Sequence, residues 1–311
     1  MEKFQGIAHS AAMKRVCDQA AQFARIPRPI LIRGERGTGK ELFAHFIHQM
    51  SDRNDKPFIS MNCAAFNDEL INAEMYGHEK GAFTGAHTRK IGRLEQADNG
   101  TLFMDEIGNM SLNFQEKILR VIEYQEFERL SGNEKIKVDV RLISATNANL
   151  EELMEDNLFR RDLFDRLTFA EIHLPPLRQR RDDIPHLIVH FVKQLHSEIP
   201  NIMSKTFERE TVEALMDYYW PGNVRELKNV VERVYLYGHD TVLTVDCLPA
   251  EITGMPSSGR SFHDQVEAFK KKLILNSLVE ADNNQRLAAD KLKMTYDQFR
   301  HFYRKYIASN E

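Results

Sequence analysis

Several features that would place this 311-residue chain in a membrane or an oxidising compartment are missing. It has three cysteines, Cys17, Cys63 and Cys247, far apart and with no Cys-x-x-Cys pair, which argues against a disulfide framework or a structural zinc site. No run approaches the ~18 consecutive apolar residues of a membrane span. The opening MEKFQGIAHS lacks the apolar core of a secretory leader, so the expected location is the cytoplasm. There is no internal repeat and no low-complexity tract. A strong charge of one sign is also lacking: a net charge of -4 does not suit a protein that coats nucleic acid over its whole surface. The exception is local. Residues 283–306 hold six Lys/Arg against two Asp, a basic end on a mildly acidic chain. A confined nucleic-acid contact and a solvated helix face both produce such a cluster.

What is present reads as alternating strands and helices. Short apolar runs at 30–33, 57–61, 101–104 and 138–145 are separated by helical patterns such as 41–50 and 111–124. That alternation predicts an α/β fold with a parallel sheet, whose ligands bind beyond the carboxyl ends of the strands. Pro175-Pro176 ends the regime, and 182–197, 208–219 and 224–237 read as helices of a small lid. The expected division is an α/β nucleotide-binding part over 1–174, a helical lid over 175–253, a Gly/Pro/Ser linker over 254–262 and a helical domain over 263–311. In that last part, helices are expected over 263–280, 284–292 and 295–306.

The first apolar run leads into GERGTGKE, which precedes a helix, the context a phosphate-binding loop requires. Gly34, Gly37 and Gly39, interleaved with Glu35, Arg36 and Thr38, let backbone N–H groups turn toward phosphate oxygens. Lys40 adds a positive charge at the helix N-terminus. Glu41 stands where the generic motif has Ser or Thr for Mg²⁺. The third run delivers Asp105 and Glu106 to the same sheet edge. Asp105 would hold Mg²⁺ through water, and Glu106 would act as general base on the attacking water. ATP and Mg²⁺ are therefore the expected cofactors.

Between these motifs lies GAFTGA: Gly81, Ala82, Phe83, Thr84, Gly85 and Ala86. Its glycines permit a tight, movable turn, and Phe83 offers an apolar anchor. Together with GTLF at 100–103 and WPGNVREL at 220–227, it resembles the bacterial enhancer-binding proteins, AAA+ activators of sigma-54 RNA polymerase, over roughly residues 5–252 and the C-terminal helices. The resemblance implies an ATPase that works as a homo-oligomer, from dimer to hexameric ring, and contacts the sigma factor through Phe83 and Thr84. It makes Asn62 a switch that grips Glu106, and Thr146-Asn147 a sensor that feels the γ-phosphate or positions water. It makes Arg160 (or its neighbour Arg161) and Arg166 fingers on the next subunit's nucleotide, and Arg225 the lid's sensor. Ile122-Glu123-Tyr124, Glu128-Arg129 and TYDQFR at 295–300, with no receiver domain, resemble a branch of that family controlled in trans by an inhibitory regulator protein.

The C-terminal pair of helices resembles a Fis-type helix-turn-helix for enhancer DNA. Leu287, Ala288, Leu292, Phe299 and Phe302 are spaced as its core, and Gln298, Arg300, His301, Arg304 and Lys305 are its candidate DNA contacts. Lys293 occupies the turn position where such motifs carry Gly, and a left-handed backbone there would cost about 1–2 kcal/mol. Two other classes stay open. An AAA+ remodeller outside transcription would share the ATP site but has no use for GAFTGA. A repressor with a merely regulatory nucleotide site has no need of Glu106 and two arginine fingers.

Overall fold

The computed structural model describes residues 8–64, 68–253, 262–281 and 284–306. Its contacts separate Met1–Leu248 from Pro249–Glu311.

In the first unit, Ser10 accepts the Met13 N–H and starts α1 (Ala11–Ala24). Then follow β1 (Ile30–Arg33), α2 (Lys40–Gln49), β2 (Phe58–Asn62), α3 (Asp68–Tyr76), β3 (Gly77–His78), β4 (Lys90–Ile91), α4 (Arg93–Gln96) and β5 (Thr101–Asp105). Next come α5 (Leu112–Tyr124), β6 (Glu126–Glu128), β7 (Lys135–Lys137), β8 (Arg141–Thr146), α6 (Leu150–Glu155), α7 (Arg161–Leu167) and β9 (Ala170–His173). The lid comprises α8 (Ile184–Glu198), β10 (Thr206–Phe207), α9 (Arg209–Asp217), α10 (Asn223–Tyr237) and β11 (Val242–Leu243).

The main sheet has five parallel strands in the order β2-β5-β8-β1-β9. Both faces of its inner strands β5, β8 and β1 are covered, which is why these read as continuous apolar runs rather than alternating ones. Ile30, Ile32, Phe103 and Ile143 point to one face, where they pack with Phe43 and Ile47 of α2. Leu31, Leu102, Met104 and Leu142 point to the other, against Phe114 and Ile118 of α5 and Leu163 of α7. Arg141, at the start of β8, is buried and donates to the carbonyls of Phe23 and Ala24, capping the end of α1. Burial lowers its pKa to about 10.

Two features differ from the sequence expectation. The fourth strand begins at Arg141, because Val138 and Val140 spend their N–H groups on Gln125, one on its carbonyl and one on its side chain. The edge strand β9 was not expected: four residues just before a Pro-Pro pair carry too little periodicity to register.

The lid is held by two buried anchors. Trp220 is fully buried and its indole N–H donates to Leu215 O at 2.7 Å. Asp183, also fully buried, takes the backbone N–H groups of His9 and Ser10 at 2.7 and 2.6 Å and the Ser10 hydroxyl at 3.0 Å. This ties the lid's entry to the segment ahead of α1.

The second unit contains α11 (Ala250–Thr253), α12 (Phe262–Glu280), α13 (Gln285–Lys291) and α14 (Tyr296–Tyr306). The linker expected at 254–262 lies, apart from its last residue, outside the described residues. Ile274, Leu278, Ala281, Ala288, Ala289 and Phe299 form its core, with Leu292 and Phe302 against it. Leu287, expected in that core, is 49% exposed. Ala288, Ala289 and Leu292 take the inward face of this short helix, and Leu287 lies a quarter-turn outside it. Lys293 does adopt φ 53, so the turn keeps the left-handed form at its steric cost.

A nucleotide site and a glycine-flanked loop

The phosphate loop springs from β1, whose four residues are paired in the sheet. Gly34 N–H is held by Thr146 O at 3.3 Å, from the end of β8. Gly37 and Gly39 take φ 77 and 100, and Gly39 is the N-cap of α2. Thr38 turns inward, its hydroxyl on Glu35 O at 2.8 Å. Lys40 is buried, and its ammonium donates to the carbonyls of Gly34 and Glu35 at 2.9 and 3.2 Å. Burial lowers its pKa, with Asp105 and Glu106 opposing that shift and Arg225 and Arg36 adding to it. Lys40 is thus a buried cation held on neutral carbonyls, with Arg36 and Arg225 near enough to repel it. That donor set fits a polyphosphate. Glu41, exposed in the first turn of α2, adds negative charge near Asp105 and brings no hydroxyl.

The acidic pair sits at the end of β5. Burial raises the Asp105 pKa, while Lys40 and the Glu106 N–H, which donates to Oδ1 at 2.9 Å, pull it back. Glu106 is left-handed, φ 57 and ψ 44, which costs a non-glycine residue about 1 kcal/mol. The turn carries its carboxylate to Asn109 Nδ2 at 3.3 Å and Arg36 Nε at 3.9 Å. Among the described residues no cluster of three or more His, Cys, Asp or Glu converges. Mg²⁺ held by one carboxylate, water and substrate phosphates needs none.

Asn62 lies beside Asp105 in the β2–β5 register. Its side-chain oxygen takes the Ala64 N–H at 2.8 Å, closing a turn within its own loop; the expected grip on Glu106 would use the other end of the amide, its NH₂. Thr146 is buried and uses its hydroxyl on Ala148 N–H; Asn147 is exposed beside it. Together with Gly34 and Glu35 they line a cleft at the sheet edge.

Of the candidate fingers, Arg160 precedes α7 and is paired bidentately with Asp162 at 2.7 and 3.0 Å. Arg166, near the helix end, reaches Glu123 at 3.2 Å. Arg161 is exposed. Arg225 does lie at the loop: its N–H and that of Val224 donate to Gly37 O at 3.3 and 3.0 Å. Gly37 makes this possible, since a Cβ there would land on the carbonyl oxygen of Gly222. Arg178, Arg180 and Asn223 were missed in the sequence. Arg180 donates to Thr38 O at 2.8 Å, and Arg178 and Asn223 both bind Glu35. The basic run 178–181 was the only signal for the two arginines, and it reads equally well as a solvated linker; Asn223 lay inside WPGNVREL without being singled out.

GAFTGA crowns a hairpin in which β3 and β4 pair antiparallel. Gly81 and Gly85 have φ 86 and 105, and a Cβ on either would meet nothing within 4 Å. The tip is closed by Gly81 N–H on Ala86 O at 2.9 Å and Ala86 N–H on Phe83 O at 3.0 Å. Phe83 and Thr84 are exposed, and the Phe83 ring rests edge-on against His78, centroids 4.9 Å apart. Ala82 is half-buried and Ala86 buried, so Ala86 seats the loop rather than presenting a surface. At the base, the buried Arg129 guanidinium gathers Glu79 at 3.1 Å, Glu95, and Glu134 at 3.8 Å. Arg129 was legible only as part of the Glu128-Arg129 resemblance.

In the second unit Gln298 is already engaged. It accepts the Thr295 N–H at 3.1 Å while Thr295 Oγ1 accepts the Gln298 N–H at 3.3 Å, a capping box that opens α14. Arg300, His301, Arg304 and Lys305 are exposed on the face opposite Phe299.

Residues 7–173 match the model of the sigma-54 interaction domain, and 178–264 that of the AAA+ ATPase lid domain. The chain belongs to the sigma-54-dependent transcriptional activator family. Within that family, the activator is 43% identical over 306 residues to the Psp operon transcriptional activator of Escherichia coli K12, covering 94% of each chain. It is 49% identical over 252 residues to the Nif-specific regulatory protein of Azospirillum lipoferum, covering 81% of the activator and 40% of that regulator. The crystal structure of NtrX from Brucella abortus in complex with ATP superposes with a TM-score of 0.73 at 34% identity, covering 97% of the activator and 69% of NtrX. Among the described residues no helix is long and apolar enough to cross a membrane.

Proposed function

We propose that this activator hydrolyses ATP, and uses the cycle to move its GAFTGA loop against sigma-54 RNA polymerase, converting a closed promoter complex into an open one. The observation that carries this reading is the exposed Phe83-Thr84 tip between two sterically unhindered glycines, on the same unit as the Lys40–Asp105–Glu106 cluster. Lys40 and the N–H groups of residues 37–40 would bind the β- and γ-phosphates. Glu106 would take the proton of the attacking water, its backbone turn aiming the carboxylate away from the strand. Asp105 would hold Mg²⁺, which would supply neutralisation of the phosphate charge. Arg225 would reach the nucleotide from the lid. Arg160 or Arg161, and Arg166, would stabilise the transferring phosphoryl group of the adjoining protomer in a ring, leaving their own-chain partners Asp162 and Glu123 to do so.

The second unit serves as an enhancer-DNA helix-turn-helix. Arg300, His301, Arg304 and Lys305 face outward, and Gln298, exposed beside them, caps the helix start with its side-chain oxygen. The test is open-complex formation at a sigma-54 promoter with purified protein and ATP. Wild type should open the promoter, and Thr84→Ala should hydrolyse ATP without opening it. Hydrolysis by wild type with no opening would leave an ATPase whose client lies outside transcription.

A further inference from the structure

Glu35 puts a carboxylate into a loop built for polyphosphate, where its charge opposes the ligand. Its side chain is turned away from that task. The two carboxylate oxygens take the two Arg178 guanidinium nitrogens at 2.5 and 2.8 Å, and Asn223 Nδ2 donates to Oε2 at 3.0 Å. The amide of Asn223 is fully buried and is used on both ends. Nδ2 also donates to Arg36 O at 3.0 Å, and Oδ1 accepts the Leu177 N–H at 2.8 Å. Asn223 adopts φ 53, a conformation asparagine tolerates better than most residues. The next two residues hang their N–H groups on Gly37 O. Arg178 meanwhile lies over the Tyr219 ring at 4.7 Å, just ahead of buried Trp220. One carboxylate therefore gathers both strands of the lid's attachment, 177–180 and 219–225.

We propose that Glu35 is a positioning residue, a latch that fixes the lid, and with it Arg225, against the phosphate loop. This rests on the ATPase reading above. The pair is partly exposed, 43% for the Glu35 side chain and 22% for Arg178. Ion pairs of that exposure contribute little to global stability, so the latch acts on geometry more than on folding.

The test takes the full chain as wild type, Glu35→Ala, Glu35→Gln, Arg178→Ala and the Glu35→Ala/Arg178→Ala double variant. Steady-state ATP hydrolysis, binding of a fluorescent ADP analogue, and hydrogen–deuterium exchange over residues 220–227 are measured. Each alanine variant should lose kcat on the order of 10- to 100-fold, with much smaller changes in ADP affinity and melting temperature. The double variant should be no slower than the slower single, because both remove one unit. Glu35→Gln should recover part of the loss, its amide oxygen still accepting from Asn223 and Arg178. Exchange at Val224 and Arg225 should quicken in Glu35→Ala. Additive losses in the double variant, wild-type kcat in Glu35→Ala, or a kcat loss matched by an equal affinity loss would each overturn the latch. If wild type shows no hydrolysis, the ATPase reading fails on its own. The exchange experiment then decides the latch, and unchanged protection at 224–225 overturns it.

Discussion

Two glycine-rich loops of this chain use the same residue for different ends. In the phosphate loop Gly37 is left-handed and also crowded: a methyl group there would strike the Gly222 carbonyl of the lid. In GAFTGA, Gly81 and Gly85 are equally left-handed, yet a Cβ on either would stand in open space. The first loop is locked by its neighbours, with lid N–H groups on Gly37 O, Arg180 on Thr38 O and Lys40 folded onto its own carbonyls. The second is held at its root by Arg129 and touched at its tip by His78. A binding loop needs a fixed shape, whereas a working loop needs permitted alternatives, and the surroundings of the glycines differ accordingly.

The sharpest way to break this contrast is to add one methyl group to each loop. Gly37→Ala should lower ATP hydrolysis by about 100-fold or more, through the backbone strain and the collision with the lid. Normal turnover in Gly37→Ala would show that the lid seam is not needed. Glu106→Ala should still bind nucleotide but lose about 10²–10⁴-fold in hydrolysis; single-turnover kinetics separates the two effects. Phe83→Ala should open promoters poorly while hydrolysing at the wild-type rate within about twofold, since truncating an exposed ring leaves the buried site intact. Arg129→Ala leaves Glu79 and Glu95 without their shared partner. It should cost about 1–3 kcal/mol by denaturant titration, with hydrolysis largely kept. Gly85→Ala should be milder still, about 1 kcal/mol of strain, with little change in turnover.

The smallest effect concerns acid. Arg178 holds the Glu35 carboxyl below the usual glutamate range. The stability this lends is present above the unfolded-state pKa and fades as pH falls through the depressed folded one. Wild type should therefore lose slightly more stability on acidification than Glu35→Gln, in which no such proton is taken up; parallel melting curves against pH would remove the effect.

How far the sequence could be read depended on how local each feature is. GERGTGKE and GAFTGA are contiguous, and the structure puts each in the setting its glycines suggest. The short apolar runs that became β1, β5 and β8 were legible because burial on both faces leaves no polar alternation to confuse them. What escaped depends on partners distant in sequence. Arg129 meets Glu79 and Glu95, and Asn223 meets Glu35, across intervals that no local pattern spans. Asn62 adds a local contact of its own: its side-chain oxygen satisfies the nearest N–H, that of Ala64, in a turn no motif announces. Gln298 also caps its own helix through its side-chain oxygen, and in Leu287 a seven-residue helix was too short for its inward face to be placed from spacing alone.

The strand order carries a consequence for how the chain is made. β1, which launches the phosphate loop, lies between β8 and β9, so Ile30 finds its neighbours Ile143 and Ala170 only after most of the unit has been synthesised. At roughly 5–20 residues per second, its bare edges wait on the order of ten seconds outside the ribosome. During that interval Ile30, Leu31 and Ile32 form an unpaired, wholly apolar ribbon. Production of this protein should therefore be more sensitive to chaperone supply and translation speed than its finished, well-covered sheet would suggest.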